Sequence, residues 1–248
     1  MGFGGRRMLG AWGLGWLALV NGCGVTAAEE SELASAATTE VGGELGDEEI
    51  SLAQHSTFTI DRGAARTYRV VAYGDSIFAG YQGSFTQVAR RAAPWVAGEY
   101  LSAAWSTNVE VVRRTVSGAV ASEVAETVRE DRRYMEDPST RAVYVEMCGN
   151  DYLKARKRLK GASGRCDLAD LEASLATCVS SIDRAMSQIN ASARTAARKA
   201  IANLYYPGFG ADDVSARCTD ASGRRINVQR TLLPYIARSN WQTCTLAR

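Results

Sequence analysis

The 248 residues hold one histidine, His55, and it stands upstream of every segment that reads as packed structure. A weak nucleophile further along therefore has no imidazole after it in the chain. Lys and Arg are missing between Met8 and Asp61, a stretch that carries Glu29, Glu30, Glu32, Glu40, Glu44, Asp47, Glu48, Glu49 and Asp61. In its Ser, Ala, Thr and Gly background such a segment cannot bury enough apolar surface to order itself, so residues 23–56 read as an acidic, solvated tether. The apolar run Met8–Val20 is 13 residues long, too short to span a bilayer. No zinc-type cysteine spacing, RNA-binding signature or phosphate-cradling loop is found, so no nucleic-acid partner is expected.

The first 22 residues have the order of an export signal: Arg6 and Arg7, the apolar run, then Val20-Asn21-Gly22 before Cys23. Val-Asn-Gly-Cys also resembles the bacterial lipobox, whose cysteine is acylated and becomes the mature N-terminus. That resemblance implies residues 1–22 as a removed signal peptide and a membrane anchor at Cys23. The expected location is the cell envelope, or otherwise the periplasm or the exterior.

Residues 57–248 are expected to form a single domain, and the 46% apolar content is enough for one sizeable core. Beyond Asp61 the chain keeps all but two of its 29 Lys and Arg and only two thirds of its 27 Asp and Glu. This basic balance suits either a solvated arginine-rich surface or an anionic envelope polymer. After Cys23 come Cys148, Cys166, Cys178, Cys218 and Cys244; in an oxidising compartment an odd number leaves one unpaired within the chain. Closeness in sequence suggests Cys166 with Cys178 and Cys218 with Cys244, one of three ways to join those four.

Four apolar runs have strand length: Tyr68–Tyr73, Val109–Val112, Ala142–Met147 and Ile201–Tyr206. They are rich in Val, Ile and Tyr with few charges, as in strands covered on both faces. Between them lie helical stretches. The clearest starts at Asp167, a good N-cap, and repeats apolar residues at Leu168, Leu171, Leu175, Cys178, Ile182, Met186 and Ile189. Others are expected at Phe85–Ala104, Ser122–Tyr134 and Ile226–Arg238. Strand alternating with helix predicts an α/β fold with a mainly parallel sheet between two helical layers. Ligands of such sheets bind beyond the carboxyl ends of the strands.

Three of those ends carry chemistry. Gly74-Asp75-Ser76 follows the first run, where a tight turn would expose the Ser76 hydroxyl; as a tripeptide alone it equally fits a serine capping a helix. Thr115-Val-Ser-Gly-Ala follows the second, with Gly118 leaving its N–H open to close approach. Cys148-Gly149-Asn150-Asp151 follows the third and supplies a side-chain amide. Acyl transfer needs an attacking oxygen and donors arranged around the oxyanion that forms. Trp95 and Trp105 read as packing residues, Tyr205-Tyr206-Pro207-Gly208 as pocket wall, and Asp212 with Asp213 as an exposed loop.

YGDS at Tyr73–Ser76, SGA at Ser117–Ala119 and CGND at Cys148–Asp151 together resemble the first three sequence blocks of the SGNH (GDSL-type) hydrolases, over about Tyr68 to Pro207. The resemblance implies a three-layer, flavodoxin-like fold that hydrolyses esters of lipids, acylated sugars or small molecules, without metal or organic cofactor. Ser76 matches the nucleophile, Gly118 and Asn150 the oxyanion donors, and Asp75 and Asp151 the residues that shape the turns. Two departures stand out. Cys148 replaces a glycine of the third block, and the Asp-x-x-His block that supplies the base is not among these residues. Three explanations compete: a shortened form of a longer protein, His55 folding back as a substitute, or a site that binds glycans or lipids without hydrolysis.

Overall fold

The computed structural model of the chain describes residues 52–84, 87–88, 91–204 and 215–246. The segment expected as an export signal, Cys23 and most of the expected tether lie outside these residues, as do Tyr205–Gly208, Asp212 and Asp213.

The frame is a five-stranded sheet in the order β1-β5-β2-β6-β7. Its strands are β1 (Leu52–Ile60), β2 (Thr67–Gly74), β5 (Asn108–Ser117), β6 (Thr140–Val145) and β7 (Arg198–Ile201). Only β1 runs antiparallel to its neighbour. The short pairs β3 (Tyr81–Ser84) with β4 (Gln87–Val88) and β8 (Ser215–Thr219) with β9 (Arg225–Asn227) lie apart from it.

Successive side chains on a strand face opposite ways, and here both directions end in apolar packing. Val71, Tyr73, Val112, Val143 and Val145 join the larger core with α3 (Ala121–Glu130), α4 (Arg133–Glu136), α5 (Gly149–Gly161), α6 (Ala169–Ser192) and α7 (Val228–Leu246). Val70, Val109, Val111 and Ala142 join the smaller one with Phe58 of β1 and Leu101 of α2 (Ala93–Trp105). Each fully buried valine contributes roughly 1.5–3 kcal/mol relative to exposure, which fixes register on both faces at once. This is the expected three-layer α/β architecture.

Trp95 stacks on Phe58, with ring centroids 4.6 Å apart, and Trp105 meets Tyr68 edge-on at 5.8 Å. Both tryptophans thus pack the smaller core. Gly98 lets α2 approach the sheet: a Cβ there would come within 2.5 Å of Val111 Cγ2 and 2.9 Å of Ile60 Cδ1.

Several expectations need correction. Strand β1 takes in Leu52–Ser56, which composition placed in the tether, and runs on to Ile60. As an edge strand with one open side it keeps polar residues and shows no apolar run. The helix expected over Phe85–Ala104 begins at Ala93, where Pro94 fits the first turn, after the β3–β4 pair has intervened. The last parallel strand is Arg198–Ile201 rather than Ile201–Tyr206. The amide of Ala202 still donates to Val145 O, but Asn240 of α7 takes both backbone groups of Leu204, at 2.7 and 2.9 Å, and draws the chain off the ladder.

The helix expected from Asp167 forms as α6, with Leu168 as N-cap and Asp167 Oδ1 accepting the Ala169 N–H at 2.9 Å. Helix α5 escaped notice because its mean hydropathy is low and its buried face is narrow. Between described residues the disulfides are Cys148–Cys178 and Cys166–Cys218, not the sequence-local pairs. Tertiary proximity decides them, since the turn after β6 abuts α6, and Cys166 donates its backbone N–H to Thr219 O on β8 at 2.8 Å. No described cysteine is free.

Candidate active site

Leaving β1 aside, the chain lays β5, β2, β6 and β7 side by side, and β2 is the first of them in sequence. The path from β2 leads to β5 on one flank and to β6 on the other. Open α/β sheets carry a crevice at such a reversal, beyond the strands' carboxyl ends. The three turns singled out in the sequence follow β2, β5 and β6.

After β2, Asp75 caps the four-residue helix α1 (Ser76–Ala79), its Oδ1 accepting the Ile77 N–H at 2.9 Å. The Ser76 backbone is thereby fixed in the first helical position. Gly74 sits in a crowded place: a Cβ would lie 3.1 Å from Glu146 O, Glu146 Oε2 and Phe78 Cβ. After β5, Gly118 adopts φ 83°, a left-handed conformation that glycine takes without strain. After β6, Cys148 adopts φ 85°, a left-handed conformation that costs a residue with a Cβ. Its disulfide to Cys178 anchors the turn to α6.

The turns are tied to one another. Asn150 Nδ2 donates to Asp75 Oδ2 at 3.0 Å and to Ala119 O at 2.9 Å, joining the third turn to the other two. Asp151 Oδ2 accepts the Ala121 N–H at 2.8 Å, binding the start of α5 to the start of α3. Burial alternates in a telling way. Gly74, Asp75, Ser117, Ala119, Cys148 and Gly149 are buried, while Ser76, Gly118 and Asn150 each keep partial access to solvent.

Electrostatically the floor of the site is a cluster of carboxyls. Asp75 is 1% exposed and Glu146, just past β6, is 3% exposed. Glu146 Oε2 accepts the Asp75 N–H at 3.3 Å. Burial pushes the Asp75 carboxyl up, against the donors that favour its charge. Burial, then the neighbouring Asp75 charge, pushes Glu146 up much further. Burial also lifts Asp151 to about 6, partly offset by the Ala121 N–H. The sequence reading missed Glu146. Its signal was there, a lone acid in the otherwise apolar run AVYVEM, but only the fold shows that it faces the Ser76 turn.

His55 is not brought to this place. It pairs with Arg114 in the β1–β5 ladder, and Arg114 pairs with Tyr73 of β2. Two strand spacings therefore separate His55 from Tyr73, about 10 Å, with Ser76 further along still. Desolvation and then the Arg114 charge lower its pKa, with the Asp131 charge opposing, which places the ring on the Arg114–Asp131 side. The folding back of His55 as a base for Ser76 is thus overturned by its pairing. Among the described residues no cluster of His, Cys, Asp and Glu has the makings of a metal site.

No family model and no curated protein matches the chain. Among solved structures, the lipase Lip_vut3 from a goat rumen metagenome superposes with a TM-score of 0.51 over 71% of this chain and 75% of that one, at 16% identity. AlinE4, an SGNH-hydrolase family esterase, gives a TM-score of 0.41 over 72% and 75%, at 15% identity. The chain has the fold of the lipase.

Proposed function

We propose that this chain is an exported serine esterase or lipase of SGNH type, with Ser76 as nucleophile. The Ser76 hydroxyl attacks the ester carbonyl, the alcohol leaves, and water releases the acid from the Ser76 ester. The backbone N–H groups of Ser76 and Gly118 and the amide of Asn150 stabilise the oxyanion, Asn150 exchanging one of its two present acceptors for it. The observation that carries this reading is the Asn150 amide bonded at once to the Ser76 turn and to the Gly118 turn. The partly open Ser76, Gly118 and Asn150 amid buried neighbours support it further. Disulfides between described residues support an oxidising compartment, in line with the signal-like start.

A serine hydroxyl near neutrality needs a neighbouring base, and His55 is held elsewhere. We therefore expect little turnover without a base supplied to Ser76, and a marked rise on adding imidazole. Reading the coding DNA past the Arg248 codon tests directly for an Asp-x-x-His segment. The decisive comparison is ester hydrolysis by the chain, with imidazole added as base, against its Ser76→Ala variant; equal rates would refute the assignment. The placement of His55 also favours a second reading, a cleft that binds envelope glycans or lipids without cleaving them. Resistance of Ser76 to a serine-reactive fluorophosphonate, with imidazole added, would select it.

A further inference from the structure

Two buried carboxyls face each other directly beneath the Ser76 turn, and they are not equivalent. Asp75 receives two good donors, the Ile77 N–H at 2.9 Å and the Asn150 amide at 3.0 Å. Glu146 receives one long bond, from the Asp75 N–H at 3.3 Å, and no N–H or O–H donor reaches its Oε1. Two neighbouring carboxyls buried this deeply repel one another when both are ionised, so one of them retains a proton. Donors stabilise the charge on Asp75, and the proton therefore resides on Glu146, turning one of its oxygens from an unmet acceptor into a donor.

We propose that Glu146 is a positioning residue of this site: the proton it retains keeps the Asp75 carboxylate turned toward Ile77 and Asn150, and so fixes the start of α1 and the Asn150 amide. This inference rests on the reading of Ser76 and Asn150 given under Proposed function. Glu146 touches no reacting atom. It acts through Asp75, which holds the Ser76 backbone at its own C-terminal side and the Asn150 side chain through Oδ2. Loss of the proton at alkaline pH puts two negative charges together in a dry site, drives the carboxyls apart and releases Asn150. The titratable groups that face the pair are Glu146 and Asp75 themselves and Asp151 at the start of α5, whose carboxyl is lifted to about 6.

The test uses the full 248-residue chain with the Asn150 side-chain amide followed by nuclear magnetic resonance from acidic to alkaline pH. The wild type is expected to show an alkaline displacement of that resonance, matched by disappearance of a neutral-acid carbonyl band in the infrared. Glu146→Gln keeps a neutral donor and acceptor of the same shape. It should leave the resonance at its neutral-pH position, abolish the alkaline step and remove the band. Glu146→Ala should displace the resonance at every pH. An alkaline step that survives in Glu146→Gln, a band that survives there, or a resonance unmoved in Glu146→Ala would overturn the proposal. Should Glu146→Ala fail to fold, the two Glu146→Gln outcomes decide alone. Hydrolysis of a simple acetate ester with added imidazole, compared between wild type and Ser76→Ala, runs in parallel. Equal rates there would refute the nucleophile assignment, while the resonance and infrared outcomes still decide the role of Glu146.

Discussion

The amide of Asn150 spans the gap between two turns far from it in sequence, with Asp75 Oδ2 at 3.0 Å on one side and the Ala119 carbonyl at 2.9 Å on the other. One planar group with two hydrogens sets the spacing of three strand ends. Its removal should be felt in stability as well as in chemistry. Asn150→Ala leaves the buried Asp75 oxygen without that donor, and we expect a loss of about 1–3 kcal/mol in urea unfolding. Asn150→Asp should cost more, because it sets a second charge against Asp75.

Cys148 offers a test of backbone strain that is independent of function. The Cys148–Cys178 bond closes 30 residues, and breaking it in a Cys148→Ala, Cys178→Ala double variant should cost about 2–5 kcal/mol. The positive φ at 148 is easier for glycine than for alanine. The Cys148→Gly, Cys178→Ala variant should therefore be the more stable of the two by about 1 kcal/mol, reversing the usual order of a Gly–Ala comparison. Equal midpoints in chemical denaturation would remove strain from the account.

Asp151 makes stability depend on pH with a definite sign. Its carboxyl is pushed up to about 6 in the fold against 3.8 in a free chain, so the folded state holds the proton more tightly. Its contribution is largest below the free-chain value and is lost as pH rises toward 6. The fall amounts to about 3 kcal/mol at most. Asp151→Asn keeps an acceptor for the Ala121 N–H and should flatten that part of the profile. Unfolding free energies measured across the acidic range check it.

Gly98 sits in the middle of a helix, where alanine is ordinarily favoured by about 1 kcal/mol. Here the added methyl meets Val111 and Ile60 inside normal contact distance. The branched Val111 side chain has little room to turn, so Gly98→Ala should destabilise the fold by about 1–3 kcal/mol. A rise in thermal midpoint would show that α2 can lift off the sheet without loss.

What was legible in the sequence follows a pattern. Val70, Val71, Val111, Val112 and Val143 announced the central strands because burial on both faces permits no polar alternation. Edge strand β1 went unnoticed, since half of it meets water and its residues look like linker. Helix α5 was hidden by its basic surface, and β7 was misplaced because the apolar stretch that follows it is claimed by Asn240 rather than by the ladder. The three candidate turns could be read locally, as glycines and polar residues at strand ends.

By itself, then, the sequence determined the layers and the identity of the groups at the rim. Both depend on near neighbours along the chain: burial patterns repeat every two or four residues, and a turn is written in a few adjacent positions. Tertiary structure alone decided which cysteines join, that His55 is held in an edge ladder opposite Arg114, and that Glu146 shares its burial with Asp75. Those relationships link residues tens of positions apart, and the forces that set them, low dielectric and close packing, arise only once the sheet has brought its strands together.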